Sequence, residues 1–323
     1  MTQIVDTVRP SRDGDQFHYF WAARRCLALL DPTTDLVAVS IEGISETEQA
    51  QGQGSMAGDQ VVDVGEYFGS ALLSQARLVR YVQLKHSTRR PEKAWTFSEL
   101  ASTWKGFVAR FRAVDLMGLA ETDAVRLVLE TNRPISLSLS ETIEDIAAGG
   151  PERHPRTATA VRRTIRLPPK RLASFCKALQ LVPGVPGYQE QRVGLSRDLR
   201  GLIAARDPAL AIGLKELVTR KALSESATER TIWKTDVLAQ LDLEEHDLFP
   251  APSRLEAPVW RVQRTSGTAI AQRILEADSP VLVHASGGFG KSDFAMSLRG
   301  HLPSESIAVV WSSPVSVDTP LLR

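Results

Sequence analysis

The alternation of apolar and polar residues divides the first half of the chain into short elements. Apolar and aromatic residues at helical spacing predict an amphipathic helix near the N-terminus, and β-branched residues between turn signals predict strands. The first two strands are expected to form a hairpin. In chain order, the predicted elements are a helix (15–30), three strands (36–42, 60–68 and 77–86), a helix (98–111) and a strand (125–131).

The pattern changes beyond residue 167, where helical periodicity dominates. Further helices are predicted near residues 170–181, 193–205, 208–221, 229–241 and 268–277. Prolines between residues 247 and 258 indicate a linker. We therefore expect an α/β chain in three parts: a first domain (1–150), a small helical domain (151–246), and a linker followed by the start of another domain (247–323).

Composition narrows the class of protein without identifying a partner. The 323 residues are 43% hydrophobic and 24% charged, which is typical of a globular chain and excludes disorder. A formal net charge of +1 excludes a strongly basic architectural DNA-binding protein. Two cysteines, the lack of a signal peptide and the lack of any long apolar segment together predict a cytoplasmic protein without a membrane span.

Charge is unevenly distributed along the chain. Residues 31–66 contain eight acidic residues and no Lys or Arg, so a polyanion would be repelled unless a divalent cation intervened. Residues 153–177 contain eight basic residues and no acid, a composition suited to DNA phosphates, although it is also typical of a solvated surface. The candidate DNA-binding residues in this stretch are Arg162, Arg163, Arg166, Lys170 and Arg171.

One group of residues could carry hydrolytic chemistry. Asp63 lies in the second predicted strand, and Gln83 and Lys85 lie near the end of the third. Hydrolysis of a phosphodiester requires a carboxylate-held metal ion that polarises the phosphate, and an ammonium group near the nucleophile or the developing charge. The strand order therefore predicts an Mg²⁺ site at a shared sheet edge. Alternatively, Lys85 is only a surface lysine at a strand end.

A second group predicts nucleotide binding. The segment VLVHASGGFGKS (281–292) is an apolar strand followed by a glycine-rich turn, Lys-Ser and a helix. Backbone N–H groups of such a loop hold phosphates, while Lys291 would contact the β- and γ-phosphates and Ser292 the Mg²⁺ of ATP. The glycines expected to line the loop are Gly287, Gly288 and Gly290. No acidic strand end follows, so we expect only the beginning of an ATPase domain.

The N-terminal segments resemble a known nuclease superfamily. The runs DGDQFHYFWAARRCLALL, VAVSIEG, VVDVGEYFG and RYVQLKHS are similar to the PD-(D/E)xK restriction-endonuclease-like fold, over roughly residues 11–135. Within that superfamily they resemble the double-stranded DNA endonuclease domain of the CD-NTase-associated effector of CBASS defence and of antiviral STAND ATPases. The Gly-Gly-Phe-Gly-Lys-Ser loop is similar to that of STAND and NACHT-type ATPases.

The resemblance implies roles for individual residues. It makes Asp63 and Lys85 catalytic and places Gln83 in the middle acidic position, as in a QxK subset. An amide ligates metal more weakly than a carboxylate, so Glu42 or Glu66 would supply the missing charge. Many relatives carry a glutamate where this chain has His18, which could contact the metal but is more readily interpreted as a partly buried polar residue.

Two functional hypotheses follow. The first is an Mg²⁺-dependent double-stranded DNA endonuclease effector, fused to an antiviral ATPase and activated by homo-oligomerisation through that ATPase domain. The second is a catalytically degenerate module that binds nucleic acid or a partner and is attached to a nucleotide switch. The helical segment would serve either as a ligand sensor or, as we favour, as a spacer for assembly.

Overall fold

A computed structural model gives the fold of this chain. It describes residues 8–51, 61–88, 90–115, 118–119, 123–202, 209–226, 228–248, 269–270, 272–274 and 276–277. The chain divides into two compact units, Met1–Leu248 and Phe249–Arg323. In the second unit, the described residues 269–270 and 272–274 are helical and lie within the helix predicted there.

The first unit combines ten α-helices and six strands within its described residues. The helices are α1 (Val8–Leu27), α2 (Glu46–Gln51), α3 (Ala101–Asp115), α4 (Leu137–Ala148), α5 (Pro155–Ile165), α6 (Pro169–Ala178), α7 (Tyr188–Leu202), α8 (Ala209–Lys221), α9 (Lys234–Gln240) and α10 (Glu245–Leu248). The strands are β1 (Leu36–Ile41), β2 (Val64–Phe68), β3 (Leu78–Lys85), β4 (Val125–Thr131), β5 (Leu179–Val182) and β6 (Thr231–Trp233).

The six strands form one mixed sheet in the order β5-β4-β3-β2-β1-β6. β2 is antiparallel to β1 and to β3, β4 is parallel to β3 and to β5, and β6 is antiparallel to β1. The C-terminal ends of β1, β3, β4 and β5 therefore lie at the same edge as the starts of β2 and β6. We call this edge the carboxyl edge.

Helices cover both faces of the sheet. On one face, α1, α7, α8 and α9 bury apolar side chains such as Phe17, Leu195 and Leu214 against β1, β2 and β3. On the other face, α3, α4, α5 and α6 surround a core that contains Trp104 and Phe175. Strand residues alternate between the two cores because successive side chains point to opposite faces of a sheet. The fold is thus a three-layer α/β arrangement.

The structure confirms most of the predicted elements in the first half and corrects the second half. The predicted hairpin is the β1–β2 pair, and the predicted strand 125–131 is β4. Two strands overlap segments that were predicted to be helical: β5 follows α6 directly, and β6 precedes α9. Helix α4 had not been predicted at all.

The predicted domain boundary at residue 150 is not a boundary between compact units. Residues 151–246 belong to the same unit as the first 150, and they supply both β5 and β6 to the sheet. The helices of this region also pack against the N-terminal helix, since Leu195 and Leu214 share its core. The helical segment is therefore part of the α/β unit. No described helix has the length and apolar character needed to cross a membrane.

α3 closely approaches the segment that leads to Asp63. Gly106 faces Val61, and a Cβ atom at position 106 would overlap the Val61 side chain. We expect Gly106→Ala to destabilise the protein by about 1–3 kcal/mol, because the segment must shift to accept the extra methyl group. Urea unfolding measures this loss. Gly14→Ala is the matched control, since a Cβ atom added at that helical position would meet nothing within 4 Å. Equal effects of the two substitutions would contradict the close contact between position 106 and Val61.

Candidate active site

Backbone pairing brings Asp63 and Gln83 together at the carboxyl edge. The Asp63 N–H donates to the Val82 carbonyl oxygen at 2.9 Å, which places the aspartate beside the end of β3. Its Oδ2 accepts hydrogen bonds from the Leu84 N–H at 2.6 Å and from Gln83 Nε2 at 2.5 Å. Lys85 follows as the last residue of β3. The structure therefore places the three predicted residues at one site.

The Asp63 carboxyl group is held where its ionised form is disfavoured. Burial raises its pKa from 3.8 to about 7, although the Leu84 N–H, the positive charge of Lys85 and the Gln83 amide all favour the carboxylate. The loss of hydration thus outweighs three stabilising contacts. A bound cation would shift the balance to the ionised form.

Glu42 is the second carboxyl group of the site. It follows β1 with a left-handed φ of 52°, and its N–H donates to the Asp63 carbonyl oxygen at 2.8 Å. The residue is exposed overall. Partial removal of its carboxyl group from water, together with the negative charges of Asp63 and Asp15, raises its pKa to about 7. Two acidic groups that each resist ionisation thus lie close to one another.

α1 places a neutral histidine next to this pair. His18 is partly buried, and burial together with the positive charge of Lys85 lowers its pKa to about 4. Asp15 and a hydrogen bond with the Leu84 backbone act in the opposite direction. At neutral pH the imidazole is therefore uncharged. This agrees with the interpretation of His18 as a partly buried polar residue.

Glu66, the other candidate for the missing charge, is not brought together with Asp63. Its carboxylate is fully buried on the sheet face that α1 covers, where it forms ion pairs with Arg25 and with Arg80, the latter at 2.5 Å. Glu130 also lies in this network and accepts a hydrogen bond from Trp21 Nε1 at 2.8 Å. Two arginines already neutralise Glu66, so the structure favours Glu42 as the second carboxylate.

The donors present fit a magnesium ion. Among the described residues, no three His, Cys, Asp or Glu side chains are grouped as metal ligands. The site instead offers two carboxylates and the amide oxygen of Gln83. Mg²⁺ prefers oxygen ligands, retains several waters and is commonly held by one or two carboxylates together with substrate phosphates. Loss of hydration is the main cause of the raised pKa values of Asp63 and Glu42, and a bound cation would favour the ionised form of both.

The basic stretch is partly neutralised by acids from other elements. Arg162 pairs with Glu152, and Arg171 pairs with Asp115 at 2.9 Å. The exposed members of the predicted set are Arg162, Arg163, Arg166 and Lys170. Eight basic residues in sequence therefore overstate the positive charge that this surface presents.

Helix α3 separates the predicted catalytic residues from part of this stretch. Trp95, just before α3, donates from Nε1 to Thr131 Oγ1 at 2.9 Å, beside the carboxyl edge. The helix then runs for 15 residues, roughly 22 Å, to Asp115, the partner of Arg171. Arg166 lies at the same end, where its carbonyl oxygen accepts a hydrogen bond from Arg112.

The predicted ATP site lies outside the described residues. This applies to Gly287, Gly288, Gly290, Lys291 and Ser292.

One residue near the candidate active site was missed by the sequence analysis. This residue is Arg230, whose Nη1 donates a hydrogen bond to the carbonyl oxygen of Glu42, 188 positions earlier in the chain. Its neighbours have a helical pattern, and no local signal distinguishes it.

Comparison with known proteins gives only distant structural matches. The sequence matches no protein-family model and no curated protein. Solved structures with a similar backbone include the Cap4 SAVED/CARF-domain containing receptor of Acinetobacter baumannii, with a TM-score of 0.39 and 10% identity over 72% of this chain and 48% of that one. The corresponding receptor of Moraxella osloensis gives 0.39 and 10%, over 73% and 49%.

A third match is the Acinetobacter baumannii receptor with the cyclic trinucleotide 3'3'3'-cAAA, at a TM-score of 0.39 and 11% identity, over 81% of this chain and 59% of that chain. The chain thus spans about half the length of these receptors. At these values the likeness carries no inference about function.

Proposed function

We propose that this protein is a metal-dependent endonuclease that cleaves double-stranded DNA. The observation that carries the proposal is the convergence of Asp63 and Glu42, two carboxyl groups with pKa values near 7, with Lys85 at the same edge of the sheet. Neighbouring carboxyl groups beside a lysine are typical of sites that bind a cation and a phosphate. Perturbed pKa values also concentrate at functional sites.

Each residue has a role that its position allows. Asp63, Glu42 and the Gln83 amide oxygen would hold Mg²⁺, which would polarise the scissile phosphate and favour the ionised form of a water molecule. The Lys85 ammonium group would stabilise negative charge on the phosphate or orient the nucleophile. His18, neutral at pH 7, keeps the wall of the site next to Lys85 free of additional positive charge.

The order of elements supports the same function. α1, the β1–β2 hairpin, β3, α3 and β4 follow one another as the PD-(D/E)xK resemblance implies. DNA would extend from the carboxyl edge towards exposed Arg163, Arg166 and Lys170. Since a duplex advances about 3.4 Å per base pair, six or seven base pairs cover the length of α3.

Control of the nuclease would come from the rest of the chain. We assign ATP and Mg²⁺ to the loop that contains Lys291 and Ser292, and we assign activation to homo-oligomerisation driven by that ATPase domain. The resemblance to nuclease-bearing antiviral STAND ATPases supports a role in defence against phage. Restraint is physically necessary, since a constitutively active endonuclease with little sequence preference would cut the host DNA.

Cleavage of a supercoiled plasmid tests the proposal. At high concentration of the full chain with ATP, we expect nicked and linear products with Mg²⁺ and none with EDTA. Lys85→Ala should reduce the rate at least 100-fold, corresponding to about 3 kcal/mol of transition-state stabilisation. Arg220→Ala, which removes an exposed cationic side chain of α8, is the control and should cut normally.

Two results would contradict this function. Cleavage by Lys85→Ala at the rate of the unsubstituted protein would show that the site is assigned wrongly. DNA binding without Mg²⁺-dependent cleavage, in the unsubstituted protein and in both variants, would instead identify a degenerate binding module.

A further inference from the structure

The start of β6 makes a set of contacts with the turn that carries Glu42. Arg230 precedes β6, and its carbonyl oxygen accepts a hydrogen bond from the Ile41 N–H at 3.1 Å. Its Nη1 donates to the Glu42 carbonyl oxygen at 2.8 Å. Arg230 therefore binds the backbone on both sides of the peptide bond that joins Ile41 to Glu42.

A second carboxylate fixes the position of Arg230. Glu46, the first residue of α2, accepts hydrogen bonds from the backbone N–H groups of Arg230 and Thr231, the latter at 3.1 Å. Its other oxygen accepts the Thr231 hydroxyl. Glu46 thus holds the start of β6, so that Arg230 cannot move without breaking several hydrogen bonds.

The backbone that Arg230 holds is one that a glutamate seldom adopts. Glu42 has a φ of 52°, a left-handed conformation that is unfavourable for residues with a Cβ atom. Such conformations persist where surrounding contacts determine them, and they cluster at functional sites. Here those contacts are the Arg230 guanidinium group on one side and the Asp63 carbonyl oxygen on the other.

We infer that Arg230 is a positioning residue for the proposed cleavage reaction: by fixing the Glu42 turn, it directs the Glu42 carboxylate towards the ion that Asp63 also binds. The inference rests on the proposed function. It assigns to residues 228–233, which the sequence placed in a separate helical domain, a direct part in building the site. Arg230 contacts neither the ion nor the DNA in this scheme, so it acts only through Glu42.

Arg230→Ala in the full chain is the first test. We expect the Mg²⁺ concentration that gives half-maximal plasmid cleavage to rise at least fivefold and the maximal rate to fall about tenfold. KM for DNA should stay unchanged. Arg230→Lys, which keeps one donor, should recover part of the Mg²⁺ affinity, a result that loss of packing alone would not produce. Arg220→Ala is the control, because that arginine is exposed and contacts Gln240.

A second variant covers the case in which Arg230→Ala fails to fold. Glu46→Gln keeps both Arg230 and Glu42 and weakens only the anchor of β6, so it should shift the Mg²⁺ dependence in the same direction by about two- to threefold. If either folded variant has the same Mg²⁺ dependence as Arg220→Ala, Arg230 does not position Glu42.

The melting temperature without DNA separates this inference from the proposed function. Mg²⁺ should raise Tm in the unsubstituted protein, and the half-saturating Mg²⁺ concentration for this rise should increase at least fivefold in Arg230→Ala. An unsubstituted protein that shows the Tm rise but never cuts DNA would overturn the endonuclease function alone. Equal Tm responses in the unsubstituted protein and Arg230→Ala would overturn the positioning role alone.

Discussion

Asp63→Asn is expected to abolish Mg²⁺-dependent cleavage of duplex DNA and, at the same time, to stabilise the metal-free protein above neutral pH. Asparagine keeps the shape of aspartate, and its oxygen can still accept the hydrogen bonds from the Leu84 N–H and Gln83. The substitution removes the negative charge that would hold the metal ion. We expect the cleavage rate to fall by roughly 10³-fold or more, which corresponds to about 4 kcal/mol.

The stabilisation follows from the raised pKa of Asp63. Below about pH 4 the carboxyl group is protonated in both the folded and the unfolded protein, and its burial costs little. Between its ordinary value of 3.8 and about 7 the unfolded chain loses the proton while the folded chain keeps it, so the free energy of unfolding decreases as pH rises. Above pH 7 the full penalty remains, on the order of 4 kcal/mol.

Urea unfolding in EDTA at pH 5 and pH 8 measures this effect. The gain from Asp63→Asn should be about two to three times larger at pH 8 than at pH 5. Adding Mg²⁺ at pH 8 should stabilise the unsubstituted protein but not Asp63→Asn. The control is Asp123→Asn, since the Asp123 side chain is fully exposed. A stability gain that is independent of pH would contradict a buried, poorly ionised carboxyl group at position 63.

A chain cut at residue 150 is expected not to fold, whereas residues 1–248 should fold cooperatively. The shorter chain would lack α7 and α8, whose Leu195, Leu199, Leu214 and Val218 are buried against the α1 face. At about 2 kcal/mol for each buried side chain, their loss would remove roughly 8 kcal/mol, which is comparable to the total stability of a domain. β5 and β6 would also be missing. β4 and β1 would then become the edge strands of the sheet, each without its outer neighbour.

Circular dichroism and hydrogen exchange on the two fragments distinguish these outcomes. We expect exchange protection in β1–β4 for residues 1–248 and its loss in residues 1–150. A protected, cooperatively melting 1–150 fragment would show that the boundary predicted from the sequence is an independent folding limit after all.

The sequence predicted the elements whose signal is local. α1, β1, β3 and β4 have long apolar or β-branched patterns, and each was placed within a few residues, except that α1 begins earlier than predicted. β5 and β6 were missed because each has only three or four residues. Strands this short gain their stability from partners far away in the sequence, and no periodicity within the segment reports that pairing.

The candidate site was likewise predictable only where its contacts follow from a local pattern in the sequence. The proximity of Asp63 to Gln83 follows from the order of two antiparallel strands and was predictable. Glu66 could have been discounted from strand alternation, since residues 63 and 66 are an odd number of positions apart and face opposite sides of a regular strand. The ion pairs of Glu66 with Arg25 and Arg80, by contrast, depend on how α1 packs, which no spacing rule specifies.

The pairing of β6 with β1 determines at what stage of synthesis the α/β sheet can be completed. Arg230 and Glu42 are 188 residues apart. At about 5–20 residues per second, a ribosome needs roughly 10–40 s to make the chain between them. During that interval the outer edge of β1 lacks its partner and is open to pairing with other nascent chains. The same delay leaves the Glu42 turn without its Arg230 contact until most of the α/β unit has been translated. Under the proposed function, an unfinished polypeptide would therefore be poorly equipped to cut the DNA of the cell that makes it.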